Sequence, residues 1–269
     1  MTNGLTNEGI EYDERDGIAT IRLNRPDVGN ALSRRMRPRL RELWAKVRDD
    51  PSVRVVIVTG TGDRHFCTGA DVREVADTGT TTSGQGTVAE DIVWSPLQNQ
   101  VWKPVICAVN GLVAGGGLHF VADADVVVAA DHAQFMDTHV SVGQVGAVEN
   151  IGLARRLPLG TVLRMTLTGK GFRLDAARAY QLGLVDELVP AAGLMDTAWE
   201  LAVAIAANSP SAVSRSKQAI WGAAERPHQE ALEYGWELAR RQWTHPDFLE
   251  GARAFVQRRP PQWNVEVPA

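Results

Sequence analysis

Apolar residues along the chain follow two patterns. Ile10–Tyr12 and Ile18–Asn24 are short β-branched segments separated by Arg15-Asp16-Gly17, and a tight Asp-Gly turn between such segments predicts a hairpin. Met36, Leu40, Leu43, Trp44 and Val47 then recur at steps of 4, 3, 1 and 3. That spacing predicts an amphipathic helix with Ser33 as N-cap, Pro38 in its first turn and Pro51 past its end. Val53–Thr59, Val105–Val109 and Val126–Ala130 are nearly unbroken apolar runs, the pattern of strands buried on both faces. Strands of this kind alternating with helices predict an α/β fold with a parallel sheet and crossover helices.

After Gly143 the pattern becomes helical, with helix spacing over Ile151–Leu157, Thr161–Thr168, Asp175–Leu182, Leu194–Asn208, Ala212–Ala224 and Gln229–Arg241. The polar run between Thr78 and Thr87 reads as a mobile surface loop of the kind that covers sites. No internal sequence repeat is visible. The division is an α/β core over 1–200 and a helical C-terminal region over 201–269.

Composition narrows the class. The chain has 269 residues, 44% hydrophobic and 22% charged, enough to bury a sizeable core. A net charge of −4 without a long basic block argues against a nucleic-acid partner and leaves Arg34, Arg35, Arg37, Arg39 and Arg41 as candidate anion sites. Cys67 and Cys107 lack metal-ligand spacing and read as reduced core residues. The acidic first thirty residues and the lack of a long apolar run predict neither a secretory leader nor a membrane span, and hence a cytoplasmic location.

Two glycine-flanked corners carry the candidate chemistry. The segment Gly60–Glu74 leaves a buried strand and ends at a helix start near Ala70-Asp71, and Asn110–Phe120 does the same through Gly115-Gly116-Gly117. In each, glycine lets backbone N–H groups face a ligand at a helix N-terminus, where the dipole favours negative charge. Two such corners can form an oxyanion hole; tight helix–strand packing is the alternative use of the same glycines.

In order and spacing, five motifs resemble those of the crotonase superfamily, the enoyl-CoA hydratase/isomerase family, over about Ile18–Arg258. They are LNRPDVGNALS (Leu23–Ser33), FCTGADVRE (Phe66–Glu74), KPVICAVNGLVAGGG (Lys103–Gly117), TGKGFRLDAARAYQLGLV (Thr168–Val185) and AFVQRR (Ala254–Arg259). The resemblance implies a crotonase-like fold of repeated ββα units with a helical C-terminal trimerisation region, assembled as a homotrimer or a dimer of trimers. It implies an acyl-CoA thioester substrate, with coenzyme A as part of that substrate and no separate cofactor or metal. The family's two oxyanion N–H groups fall on Ala70 and Gly116. Arg25, Val28, Asp71, Phe255 and Arg258 fall on substrate and CoA contacts, the last two reaching in from a neighbouring subunit.

The pattern breaks at the acid/base positions. The family's hydratases carry one glutamate two residues after the triple glycine and another in a downstream Q-P-E turn; here these positions are His119 and His139. Loss of both carboxylates argues against ordinary carboxylate-pair hydration, whereas imidazoles that titrate near neutrality can still move protons. Asp123 lies four residues beyond His119 on the same helix face. Asp137 and Glu149 flank His139, and His139 with Glu149 is the preferred dyad, a first-turn helix charge being the alternative for Glu149. Metal ligation by the histidine pair lacks a clear third ligand, and His65, His132, His228 and His245 have no comparable support.

The sequence thus predicts an acyl-CoA enzyme that stabilises an enolate at Ala70 and Gly116. His139 is its base, helped by Glu149 or Asp137, and His119 is a second acid/base or positioning group. Two rivals stand beside it. One is hydrolytic C–C cleavage of a β-diketone or β-ketoacyl substrate, from a looser resemblance to crotonase-like β-diketone hydrolases. The other is a non-catalytic CoA-binding or scaffold protein.

Overall fold

A computed structural model describes residues 8–80 and 86–264; half of the Thr78–Thr87 loop, residues 81–85, therefore lies outside the described residues. β1 (Ile10–Arg15) and β2 (Ile18–Leu23) form the antiparallel hairpin. Its turn places Asp16 and Gly17 at φ 54° and 76°, the double left-handed conformation that matches the twist of the flanking strands. Helix α1 (Met36–Asp49) buries the predicted stripe from Met36 to Val47. It begins later than the Ser33 cap suggests, although the Ser33 hydroxyl still accepts the Met36 N–H at 3.4 Å.

The chain then repeats one structural unit three times. β3 (Val55–Gly60), β4 (His65–Cys67) and α2 (Val72–Thr78) make the first. A short helix α3 (Val88–Asp91) leads to the second, formed by β5 (Val105–Val109), β6 (Leu112–Ala114) and α4 (Leu118–Ala122). The third comprises β7 (Val126–Ala130), β8 (Gln134–Met136) and α5 (Val148–Leu153). The repeat is in the path of the chain and not in its residues, which is why no sequence period reveals it. α6 (Leu159–Thr168), β9 (Leu174–Asp175), α7 (Ala176–Gln181), β10 (Glu187–Val189) and α8 (Leu194–Ala206) follow. The chain closes with α9 (Pro210–Ala223), α10 (His228–Trp243) and α11 (Pro246–Gln257).

In each unit the first strand joins a six-stranded sheet, ordered β1-β2-β3-β5-β7-β10, and the second joins a four-stranded sheet, ordered β4-β6-β8-β9. Beyond the β1 hairpin the large sheet is parallel throughout. One of its faces joins the main core with Trp44, Phe66, Phe120 and Phe135. The other face, Ile18, Val55, Ile57, Ile106 and Val128, is covered by Leu194, Ala198 and Ala202 of α8. Cover on both sides explains why β3, β5 and β7 read as continuous apolar runs.

Two buried asparagines pin the corners where the chain changes sheets. Asn110 Nδ2 donates to the Gly62 and His65 carbonyls at 2.8 and 3.1 Å, and its Oδ1 accepts the Gly60 N–H at 3.0 Å. Asn30 donates to the Thr61 and His65 carbonyls at 3.0 and 2.8 Å. The C-terminal helices are moored by Lys217, whose Nζ meets Asp125 Oδ2 at 2.7 Å and the Lys103 carbonyl at 2.9 Å. Burial lowers the Lys217 pKa, and Asp125 opposes that shift. A cavity of about 530 Å³ beside this mooring, lined in part by Pro104, Arg156, Ile220 and Trp221, contains neither glycine corner. Among the described residues no helix is long and apolar enough to cross a membrane.

Asn110→Ala would remove the side-chain partner of the Gly60 N–H and the Gly62 carbonyl, while the His65 carbonyl keeps its bond from Asn30. We expect it to destabilise the protein by about 1–3 kcal/mol for each group that water does not reach. Urea denaturation would measure this, and a total loss below about 1 kcal/mol would show that the corner does not depend on the side chain.

Candidate active site

The first corner delivers Ala70. Gly69 has φ +86°, a conformation that side-chain-bearing residues avoid, and a methyl group there would stand 2.7 Å from the Gly116 nitrogen. Glycine at 69 thus lets the two corners touch. Leu32 and Ala70 form a parallel bridge in which the Leu32 N–H donates to the Gly69 carbonyl at 2.8 Å and the Asp71 N–H to the Leu32 carbonyl at 3.1 Å. The bridge uses the groups on either side of Ala70, so its own N–H is left out of the pairing, and Ala70 lines a cavity. Gly116 lies in the first turn of the helical segment that continues into α4, where backbone N–H groups lack intrahelical acceptors. The two corners therefore bring Ala70 and Gly116 to one cavity of about 170 Å³, lined also by Ile92, Trp94, His119, His139, Val145 and Glu149.

The second corner also delivers His119, buried in the first turn of α4. Its Nε2 stands 3.3 Å from Glu149 Oε2, and its ring meets Trp94 edge to face at 5.4 Å between centroids. Burial pushes the His119 pKa down to about 4, against the pull of Glu149, so the ring is neutral at neutral pH.

His139 follows β8 in a short helical turn. Its Nδ1 is 2.6 Å from Asp137 Oδ1 and 3.0 Å from Glu149 Oε1. The hydrogen bond to Asp137, then the adjoining Glu149 carboxylate, raises the His139 pKa to about 10 in spite of burial. Burial alone would raise Asp137 as well, but bonds from the His139 side chain and backbone and from Asn150 Nδ2, at 2.5 Å, hold it below the usual carboxylate range. The raised pKa favours a protonated His139 at neutral pH, beside Asp137 and Glu149.

Glu149 is 5% exposed and lies in the first turn of α5. It contacts both imidazoles, so the carboxylate absent from positions 119 and 139 returns between them from a third element. Asp123 does not serve His119: its carboxylate accepts a hydrogen bond from the Ser95 hydroxyl, and burial raises its pKa to about 6. Asp137, His139 and Glu149 offer ligand atoms within 4.8 Å of one another, a trio that differs from the histidine pair weighed on sequence grounds. The 2.6 Å contact of Nδ1 with Asp137 fits a shared proton.

The remaining candidates are scattered. Arg25 spends its guanidinium on the Ala31 carbonyl at 2.7 Å and on Asp71 Oδ2 at 2.9 Å. Asp71 also caps α2 through the Arg73 N–H. This pair braces the first corner, leaving little of either side chain for a ligand. Val28 sits in the turn after Pro26, Phe255 is 85% exposed, and Arg258 ends α11 in a left-handed conformation; no contact in this single chain draws them to the cavity. Trp94 and Asn150 escaped the sequence reading. Trp94 stands in a segment without apolar period, and only the fold reveals that Asn150 reaches Asp137.

The fold is a two-sheet α/β scaffold of ββα units whose two glycine corners line one cavity. The family profile for enoyl-CoA hydratase/isomerase matches residues 13–266, and the chain belongs to that family. It is 33% identical over 256 residues to (E)-benzylidenesuccinyl-CoA hydratase of Thauera aromatica, covering 94% of this chain and 97% of the relative. It is 33% identical to carnitinyl-CoA dehydratase of Proteus mirabilis, covering 95% and 98%. The crystal structure of an enoyl-CoA hydratase/isomerase from Mycobacterium paratuberculosis superposes with a TM-score of 0.87 at 38% identity, covering 96% of this chain and 99% of that one.

The raised His139 pKa has a stability consequence. Because the folded value lies above the ordinary 6.5, the stabilisation is fully present below about pH 6.5 and is lost as pH rises through about 10. The stability gap between the wild type and His139→Gln, from urea denaturation, should therefore narrow from pH 6 to pH 10. A gap that widened over that range would contradict the ion pair.

Proposed function

We propose that the protein is an acyl-CoA hydratase or dehydratase in which an imidazolium and a carboxylate replace the family's two carboxylates. The observation that carries this reading is Glu149 between His119 and His139 beside the Ala70 and Gly116 N–H groups. The thioester oxygen binds the two N–H groups, which stabilise the negative charge that builds on it; one such donor is typically worth about 2.7–4 kcal/mol. In the hydration direction Glu149 takes a proton from water as its oxygen adds to C3, while His139 delivers a proton from Nε2 to C2. Net transfer of one proton from Glu149 to His139, through solvent, then resets both groups as product leaves. Neutral His119 is a positioning residue that steadies Glu149 Oε2.

The CoA portion passes Val28, with Phe255 and Arg258 as contacts contributed across a trimer. Subunit association is supported by the exposed leucine stripe of α6, Leu159, Leu163 and Leu167, and by exposed Trp236, Phe248 and Val256 near the C-terminus. A cytoplasmic location and the absence of any separate cofactor belong to the same reading.

One observation favours a second reading. The 2.6 Å contact of Asp137 with His139 Nδ1 resembles the orienting half of a triad, which suits water attack on a β-diketone with the departing enolate held at the same hole.

Purified protein assayed with crotonyl-CoA and with a cyclic β-diketone separates the two, and turnover of neither would leave a binding role. We expect crotonyl-CoA turnover, with Glu149→Gln and His139→Gln each lowering kcat/KM by about 10²–10⁴-fold. An acid at His139 further requires activity to fall as pH rises through its raised pKa. Asp137→Asn, which removes the main cause of that shift, should move the alkaline limb to lower pH; an unmoved limb would exclude His139 as the acid.

A further inference from the structure

The cavity is closed on one side by a wall that chemistry does not require. Trp94 lies between α3 and β5, and its indole edge packs on Gly116 so closely that a methyl group on that glycine would stand 2.2 Å from the ring. The same ring meets His119 edge to face. Trp94 thus touches Gly116 and the His119 imidazole, and it lines the cavity together with Ile92, Val145 and Val148.

The wall is held rigidly from behind. The Trp94 carbonyl accepts the indole N–H of Trp44, a fully buried residue of α1, at 2.9 Å. Asn99 Nδ2 donates to the carbonyls on either side, Val93 at 3.0 Å and Ser95 at 2.8 Å. The Ser95 hydroxyl is bound to Asp123 of the next unit. Just upstream, α3 is closed by a Thr87–Glu90 capping box, and Arg41 donates to the Glu90 carbonyl at 2.8 Å. With the backbone tied on both sides and the ring packed between Gly116 and His119, Trp94 cannot swing aside without breaking these contacts.

The space left is small. About 170 Å³ lies below the range of roughly 300–1,000 Å³ usual for larger ligands, and is close to the ~150 Å³ cavity known in another protein to hold one benzene ring. We infer that Trp94 is a specificity-determining residue that restricts the site to short acyl groups, of about four to six carbons. This inference rests on the acyl-CoA reading above and adds the substrate's size to it. A longer chain has to displace the indole, and with it the packing of Gly116 and His119, so length is penalised at the point where the reacting atoms are held.

Saturated acyl-CoAs test this without relying on turnover. Calorimetric titration of the wild type with butyryl-CoA and decanoyl-CoA should give at least about tenfold weaker binding for decanoyl-CoA. Trp94→Ala should bring the two within about threefold of each other by improving decanoyl-CoA. Ile92→Ala, a smaller change in the same wall, should move the ratio the same way and serves if Trp94→Ala does not fold. Equal or tighter decanoyl-CoA binding by the wild type, or a ratio unmoved by the variants that fold, would overturn the size restriction while leaving the acyl-CoA reading intact. No binding of either thioester would overturn both. Where turnover is found, kcat/KM along a series of 2-enoyl-CoAs from four to twelve carbons should fall in the same order.

Discussion

The site depends on a single constraint: two buried carboxylates, Asp137 and Glu149, share one imidazole. Removing a carboxylate from water costs several kcal/mol unless a partner compensates, and Asp137 has no exposure at all. His119, held neutral by its own burial, supplies a contact to Glu149 but no charge. His139 therefore carries the compensation for both, and its raised pKa is the direct expression of that load. Asn150 and the His139 backbone N–H complete the shell around Asp137. The turn after β8 and the first turn of α5 are thereby tied into one unit.

Much of this was legible in the residues. Unbroken Val and Ile runs marked strands covered on both faces, the Asp-Gly pair marked the hairpin, and the glycines at 69 and 115–117 marked where main-chain donors can approach a ligand. What periodicity could not supply was the packing of units against one another. Glu149 stands thirty residues from His119, and their contact exists because α4 packs on α5. Asp123 had the helical spacing to serve His119, but Ser95 on another segment binds its carboxylate. The repeated strand–corner–strand–helix path left no period in the sequence, because its three copies bury different side chains.

The acid/base roles were not legible in the sequence for a related reason. A histidine on its own titrates near neutrality and reads equally well as acid or base. Which it is depends on the number of carboxylates around it, a property of three dimensions. One neighbour, Asp137, is two residues away and visible; the second comes from α5. With both in contact the protonated imidazole is favoured, and under the proposed mechanism Glu149 is then the base.

The two halves of the proposed chemistry also differ in how tightly sequence constrains them. The oxyanion donors are main-chain groups, so they demand a backbone path, and that demand is met by glycine at 69, where φ is positive and the Gly116 nitrogen is close. Proton transfer demands only that some acid and some base reach the substrate, from whichever element passes nearby. Moving the carboxylate to α5 leaves the hole untouched and keeps acid and base within 3.0 Å of each other on one wall of the cavity. Under the proposed mechanism both protons are then exchanged on the same side of the bound thioester, with Trp94 and Ile92 closing the other. The scaffold can accommodate an exchange of proton-transfer residues that looks, position by position, like the loss of its machinery.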